Sequence, residues 1–518
     1  MLKSAHCHAS LGREIRDVLT WVEAQNEAVD VRVQQSSFRA LDKWAYREDS
    51  QSIRHDSGKF FSIDGIRVRT NWGYKAEWEQ PIINQPEVGY LGFLVKEFEG
   101  VLHFLMQAKI EPGNVNKVQL SPTLQATRSN FTRVHKGRTP AYLEYFQQAK
   151  PHQILLDQLQ SEQGARFLRK RNRNIVVWLE DEIEVKPNFI WLTLGQIKSL
   201  MAYDHVVNMD SRTVIAGLPY DSHDEDVIDF FRYLNGSGSG SGSGYGGWTG
   251  AGSGSRSGSR SGSNPAAGDF LASTLKEDGA MHTLDEIISK ITHFKSVYDL
   301  EVTKTDLKSL DEWVYTDTEI YHQDRMFFRV IPVDVEIGNR EVQRWSQPMV
   351  QPAQEGLCAF VCRRIDGLLH VAMQLKMECG NHDVVELAPT VQTLTGNYKT
   401  SRPGAIPFLD YVLGAPEDQI VFDTMQSEEG GRFYQEQNRN MILILPDEPD
   451  IGGLDGQEKW VGDTGSGAAA DILYMKELYG ELPENYIWMT LNQLGTFLKF
   501  NNYLNIQARS LIAAISFR

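Results

Sequence analysis

Apolar residues recur at helical spacing at Ile15, Val18, Leu19 and Val22, and again at Leu284, Ile287, Ile288 and Ile291. Each stripe predicts an amphipathic helix opening one half of the chain. Short aromatic runs follow in both halves. Leu41-Asp42-x-Trp44-x-Tyr46 answers to Leu310-Asp311-x-Trp313-x-Tyr315, Ile53-x-His55 with Phe60-Phe61 to Ile320-x-His322 with Phe327-Phe328, and Trp78-x-Gln80-Pro81 to Trp345-x-Gln347-Pro348. These predict short strands separated by turns. The run GVLHFLMQAKIEPGN at 100–114 is then written again as GLLHVAMQLKMECGN at 367–381, with nine of fifteen positions identical and a constant displacement of 267. Within it Leu102, Phe104 and Met106 alternate with polar His103, Gln107 and Lys109, the pattern of a half-buried strand. Its polar side either faces solvent or lines a cavity, and the retention of His, Gln, Lys and Glu in order in both copies favours the cavity.

The correspondence continues. Gln119 to Phe131 is mirrored by Glu386 to Tyr398 as a strand entering a loop. Ser161-Glu162-x-Gly164-x-Arg166-Phe167 pairs with Ser427-Glu428-x-Gly430-x-Arg432-Phe433, read as a short helix carrying an arginine, and Asn172-Arg173-Asn174 pairs with Asn438-Arg439-Asn440 before apolar strands. Trp191-x-Thr193-Leu194-x-Gln196 matches Trp488-x-Thr490-Leu491-x-Gln493, each followed by a helix reaching Arg212 or Arg509. The expected architecture is α+β, two equivalent modules at 1–234 and 269–518. Between them 235–268 is a Gly/Ser tether too poor in apolar residues to fold, and 451–482 is an insertion in the second module alone.

Composition narrows the function. With 52 Lys plus Arg against 68 Asp plus Glu, a formal net charge of -16, the chain is neither a general nucleic-acid binder nor a coat for anionic membranes. The 4 cysteines in 518 residues fit a reducing compartment, the cytoplasm, and Cys358 and Cys362 are expected to be buried free thiols. His6-Cys7-His8 is expected to lie in a frayed terminus, and no window is apolar enough for a signal peptide or a membrane span.

The sequence lacks a dinucleotide glycine fingerprint, a Walker loop, a nucleophile elbow and a zinc-protease motif. His103, Lys109 and Glu111 are the ionisable candidates for catalysis. Trp44 and Trp313 either wall a nucleobase or sugar site or belong to the core. The loop Thr127, Arg128, Ser129, Asn130 and Phe131 offers hydroxyl, amide and guanidinium donors for a diphosphate, joined by Arg133 and Arg138. Its counterpart Thr395, Gly396, Asn397 and Tyr398 lacks the arginine, which makes the N-terminal pocket the expected catalytic one, while His370, Lys376 and Glu378 keep the opposite assignment open. Arg166, Gln374, Lys376 and Arg432 complete the expected substrate-binding set. Arg169-Lys170-Arg171 answers to Gln435-Glu436-Gln437 in the other copy and marks either a function of the N-terminal module or a solvated face, with the face favoured.

The doubled G-x-L-H-x-x-M-Q-x-K-x-E-x-G-N, QLSPTLQATRSNF at 119–131, SEQGARF at 161–167 and NMDSRTVIAGL at 208–218 resemble the NDP-hexose 2,3-dehydratase family. The resemblance implies a homodimer of tandem Nudix-like modules, each with a nucleotide-sugar pocket, only one of them active. It implies dTDP-4-keto-6-deoxy-D-glucose as substrate, no cofactor or metal, and an NADPH-dependent 3-ketoreductase as the next enzyme. The R-E-x-x-E-E cluster of Nudix hydrolases is absent. A non-catalytic nucleotide-sugar binder and a diverged Nudix hydrolase are the alternatives.

Overall fold

The computed structural model describes residues 1–73, 75–128, 139–220, 266–338, 343–394, 406–447 and 478–517. The fold is α+β, with two seven-stranded and two five-stranded sheets among the described residues. One seven-stranded sheet runs Ile154–Ser161, Arg171–Trp178, Gly89–Phe98, Val101–Ile110 and Phe189–Thr193, with Val118–Ser121 and Leu124–Ala126 paired alongside. The other runs Ile420–Ser427, Gln437–Ile444, Gly356–Ile365, Leu368–Lys376 and Glu386–Ala388, with Val391–Leu394 and Tyr486–Met489 alongside. Each contains one parallel pair, Arg171–Trp178 with Gly89–Phe98 and Gln437–Ile444 with Gly356–Ile365. The predicted alternation holds in Val101–Ile110: Phe104, Met106, Ala108 and Ile110 enter the large core, and the opposite face carries His103, Leu105, Gln107 and Lys109.

The five-stranded sheets are assembled by exchange. Val31–Gln35, from the first half, pairs antiparallel with Phe328–Ile337 of the second, from Val31 opposite Ile337 to Gln35 opposite Val333. Reciprocally Leu300–Thr305 pairs with Ser62–Thr70. Each half therefore covers an edge of the other's sheet. Separating them would expose two rows of unpaired backbone groups. The core follows suit: one cluster joins Phe38, Trp44, Phe61 and Phe167 to Leu307, Ile320, Phe328 and Phe433, with Phe167 and Phe433 edge to face at 5.5 Å.

Two turn glycines lie where this exchange brings backbones together. Gly113 N–H donates to Gly430 O at 2.8 Å, and Gly380 N–H donates to Gly164 O at 2.6 Å. A Cβ on Gly113 would stand 1.6 Å from Phe433 O, and one on Gly380 1.8 Å from Phe167 O. The glycine at the end of the repeated run is thus fixed by contact with the other half. Arg212 and Arg509 cross in the same way, each 1% exposed. Arg212 donates to Ser427 O (2.6 Å) and Ser510 Oγ (2.8 Å), while Arg509 donates to Ser161 O and to Thr213 Oγ1 (2.7 Å).

Several expectations are corrected. The N-terminus is not frayed: Leu2–His6 is helical, with Leu2, Ser4 and Ala5 buried, and Ser4 Oγ bonds Leu102 O at 2.6 Å. It occupies in the first half the place that Ala267–Leu275 holds in the second, where Ser273 Oγ bonds Leu369 O at 2.6 Å. That helix also takes the last residues assigned to the tether. The SEQGARF segment is a turn after the strand Ile154–Ser161, because Gly164 and Phe167 are held against the other half. Arg212 sits on its own helix, Met209–Ala216, capped by Asn208. The cysteines are free, and burial raises the thiol pKa of Cys358, Cys362 and Cys379. The rest of the tether and most of the late insertion lie outside the described residues. No helix among the described residues is long and apolar enough to cross a membrane.

Candidate active site

A cavity of about 280 Å3 opens between the halves. Its aromatic wall comes from the short strands Trp44–Arg47 and Ser52–His55 and the turn that follows. Trp44 stands 4.7 Å from Phe61, and His55 stands 4.6 Å from Phe60, ring centre to ring centre. The polar floor comes from Lys109 and Glu111 at the end of the central strand, Gln125, Glu162, Lys170, Asn172, and Asp210 in the first turn of Met209–Ala216. The facing wall is supplied by the second half, through Arg344 to Gln347 and through Glu429, Gly431 and Arg432. Trp44 is both wall and core, 6% exposed yet lining the cavity.

The floor is a connected network. Lys109 Nζ donates to Gln125 O (3.1 Å) and lies 3.9 Å from Glu111 Oε1; Gln125 Nε2 donates to Glu111 Oε1 (3.0 Å), and Asn208 Nδ2 to Gln125 Oε1 (3.1 Å). Lys170 Nζ donates to Asn172 Oδ1 (2.8 Å) and Glu87 O (2.5 Å), and Asn172 Nδ2 donates to Glu162 Oε1 (2.6 Å). Gly431 N–H donates to Glu429 Oε1 (3.1 Å). Arg432 lies 4.2 Å over the Phe61 ring and donates to Gln85 Oε1 (3.2 Å). Two buried carboxyl oxygens, Glu162 Oε2 and Glu429 Oε2, have no hydrogen-bond partner among the described residues.

Burial against like charge sets the protonation. Desolvation, then Glu111, pushes the Glu429 carboxyl up to about 8, with Arg432 opposing. Desolvation, then Glu162 and Glu429, holds Asp210 well above the usual carboxylate range. Glu162 is raised by burial and drawn back by Lys170, whose own pKa burial lowers. A cavity with carboxyls whose proton affinity burial raises and two lysines suits proton transfer next to a carbonyl. Among the described residues no group of three His, Cys, Asp or Glu is set to hold a metal ion.

The structure sorts the sequence candidates. Lys109, Glu111, Trp44, Thr127 and Arg432 line the cavity. His103 does not: it is fully buried six residues along the strand, about 20 Å from Lys109. Its Nδ1 donates to Val101 O (2.9 Å), so Nε2 accepts from Ser10 Oγ (2.7 Å). His370 repeats this, donating to Leu368 O (2.8 Å) and accepting from Met281 N–H (2.9 Å). The histidine recurs because it anchors the segment before each amphipathic helix, and it is not a candidate for catalysis. Arg128 is exposed at the end of its loop; Ser129, Asn130, Phe131, Arg133 and Arg138 lie outside the described residues, as do Thr395, Gly396, Asn397 and Tyr398. Gln374 is half-buried opposite Ala388 and does not line this cavity.

Arg166, Trp313 and Lys376 gather instead at the corresponding place in the second half. Arg166, from the first half, lies 4.2 Å over Phe328; Trp313 stands 4.9 Å from Phe328; Lys376 Nζ reaches Gln392 O at 3.3 Å. Each arginine of the repeated turn thus serves the other half's aromatic cluster.

Sequence reading missed Glu162, Lys170, Asp210 and Glu429. Lys170, expected in a solvated face, is 4% exposed and walls the cavity. For the last three the available signal was their exchange between copies, Lys170 for Glu436, Asp210 for Gln507 and Glu429 for Gln163, whereas Glu162 recurs as Glu428.

A family model for NDP-hexose 2,3-dehydratase matches residues 15–218, 284–461 and 470–515. A dTDP-4-dehydro-6-deoxy-alpha-D-glucopyranose 2,3-dehydratase of Saccharopolyspora spinosa is 40% identical over 479 residues, 92% of this chain and 86% of the relative. Proteins of the same name from Amycolatopsis orientalis and Streptomyces violaceoruber are 36% and 38% identical, over 96% of this chain and 90% and 95% of theirs. The matched segments carry every lining residue of the cavity, and the chain belongs to the NDP-hexose 2,3-dehydratase family.

Proposed function

We propose that this enzyme removes water across carbons 2 and 3 of dTDP-4-keto-6-deoxy-D-glucose and that the cavity between the halves is where it does so. The observation that carries the location is the set of buried carboxyls of raised pKa and lysines beside an aromatic wall.

The ketone at carbon 4 acidifies the hydrogen on carbon 3. A base takes that proton, and the electron pair moves into an enolate. Its return expels the carbon 2 hydroxyl, leaving an enol that tautomerises to a 3,4-diketo-2,6-dideoxy sugar nucleotide. The substrate carries its own electron sink. Lys109 and Lys170 stand to stabilise the enolate oxygen in a low-dielectric space. Trp44 and Phe61 offer a ring face to the sugar or base, and Arg432, Arg344 and Arg128 offer charge to the diphosphate. Each half is read as a Nudix-like module. A homodimer, a cytoplasmic setting and an NADPH-dependent 3-ketoreductase as the consumer of the product complete the reading.

The test is to incubate purified protein with dTDP-4-keto-6-deoxy-D-glucose, NADPH and a 3-ketoreductase. A dTDP-2,6-dideoxy-4-keto sugar is the expected product. Bound but unchanged substrate would mean a binding protein instead, and dTMP plus sugar phosphate a hydrolase.

A further inference from the structure

Four carboxyls meet in the cavity, and their counterparts divide them. Glu111 and Glu162 recur as Glu378 and Glu428, so the fold keeps these acids in both halves. Asp210 and Glu429 do not recur as acids. Their counterparts are Gln507 and Gln163, side chains of similar shape that hydrogen-bond but cannot titrate. The scaffold therefore accepts an amide at both places, and what the first cavity retains there is the ability to gain and lose a proton.

The second half shows what an amide does there. Gln163 Nε2 donates to Glu428 Oε2, and Asn438 Nδ2 donates to Glu428 Oε1, so that buried carboxylate is satisfied. In the first half Asn172 makes the second of these bonds, to Glu162 Oε1, but Glu429 stands where the amide would be. Among the described residues Glu162, 5% exposed, and Glu429 are each left with an unpartnered Oε2. Two carboxyls can satisfy each other only by sharing a proton. Glu111, Asp210, Lys109, Lys170 and Arg432 are the other titratable or charged groups around Glu429.

We propose that Asp210 and Glu429, one from each half of the chain, are the acid–base pair of the dehydration: Asp210 takes the proton from carbon 3, and Glu429 gives its proton to the departing carbon 2 hydroxyl. This rests on the cavity being the active site. The carbon 3–hydrogen bond breaks to give the enolate, and the carbon 2–oxygen bond breaks as carbons 2 and 3 become doubly bonded. The hydroxide leaves as water with the proton of Glu429. Asp210 ends protonated and Glu429 ionised, and a proton passing from one to the other restores the pair. Asp210 suits the base because burial and the neighbouring acids raise its proton affinity, while Lys109 and its place in the first turn of a helix favour the anion; the reacting form carries Asp210 ionised and Glu429 protonated. Glu429 suits the acid because Glu162 is there to share its proton. The exchange of strands between the halves is what brings the two together.

The test follows solvent deuterium into carbon 3 alongside water loss. Asp210→Asn should stop both, and Glu429→Gln should keep exchange while turnover falls at least about 100-fold. In the unmodified enzyme turnover should fall as pH rises above about 8 while exchange persists, a readout that needs no variant to fold. Near-normal turnover in either folded variant, or exchange and turnover falling together at high pH, overturns the pair. Lys109→Met separates this from an error of place. If it abolishes turnover while the acid variants do not, the cavity is right and the pair wrong; if all three are active, the cavity itself is wrong.

Discussion

The cavity of the first half and the matching cluster of the second share a floor and differ in their protons. In both, a lysine reaches the backbone of the next strand, Lys109 to Gln125 O and Lys376 to Gln392 O. In both, a glutamine fixes a buried glutamate, and a cap asparagine fixes that glutamine, Asn208 to Gln125 and Asn505 to Gln392. Where the first half has Asp210, Lys170 and Glu429, the second has Gln507, Glu436 and Gln163. The lesson is that the fold requires the network and leaves the titrating positions free. Chemistry is added by a few exchanges on a shared frame.

The strongest way to break that comparison is to write the second half's residues into the first, as Asp210→Gln, Lys170→Glu and Glu429→Gln together. Turnover is expected to fall on the order of 10^4-fold, since acid and base are both removed. Thermal stability of the triple variant, measured in parallel, should show that folding is retained. Changing Gln507 to Ala in the second cluster should leave turnover unaltered; a comparable loss there would place the chemistry in the wrong half.

Arg212 and Arg509 test where the halves are equal. Each guanidinium is buried and satisfies backbone carbonyls of the other half. Arg212→Met and Arg509→Met should each cost about 3 kcal/mol or more, because carbonyls such as Ser427 O and Ser161 O lose their donors in a dry interior. Denaturant titration gives both values. Costs differing by more than about 1 kcal/mol would show that the reciprocal contacts are not equivalent.

Lys198 tests where the halves differ without a site. It is buried, donates to Ala513 O (2.8 Å) and Ile515 O (2.6 Å), and corresponds to Gly495 in the second half. Burial lowers its pKa from 10.5 to about 7. The unfolded lysine keeps its proton up to the ordinary value while the folded one sheds it near 7, so between these limits the unfolded state holds more protons. Stability contributed by this group therefore rises with pH across that window, by at most about 1.4 kcal/mol per pH unit. Melting temperature against pH should show this slope, and Lys198→Met should reduce it. An unchanged slope would mean that the ammonium stays charged in the fold.

The smallest effect is expected from deleting Gly236 to Gly262 of the Gly/Ser run. Turnover should be unchanged as long as the remainder spans the halves, because a chain of this composition acts through length alone. Loss of folding would show that the run takes part in the structure.

The sequence by itself determined the elements that depend on neighbours along the chain. Alternation placed Phe104 and Met106 inward, helical spacing predicted the helix Ile15–Glu27, and the repeated run marked the strand that ends at Lys109 and Glu111. Local patterns carry such information because side-chain direction follows backbone period. Tertiary structure alone decided the rest. His103 and Lys109 share one face of one strand, yet the N-terminal segment covers the first and the cavity opens at the second. Arg432 serves the first half and Arg166 the second because Val31–Gln35 and Leu300–Thr305 each joined the opposite sheet. Which edge a strand pairs with is set by contacts hundreds of residues apart, and nothing in five or six residues of alternating pattern names the partner.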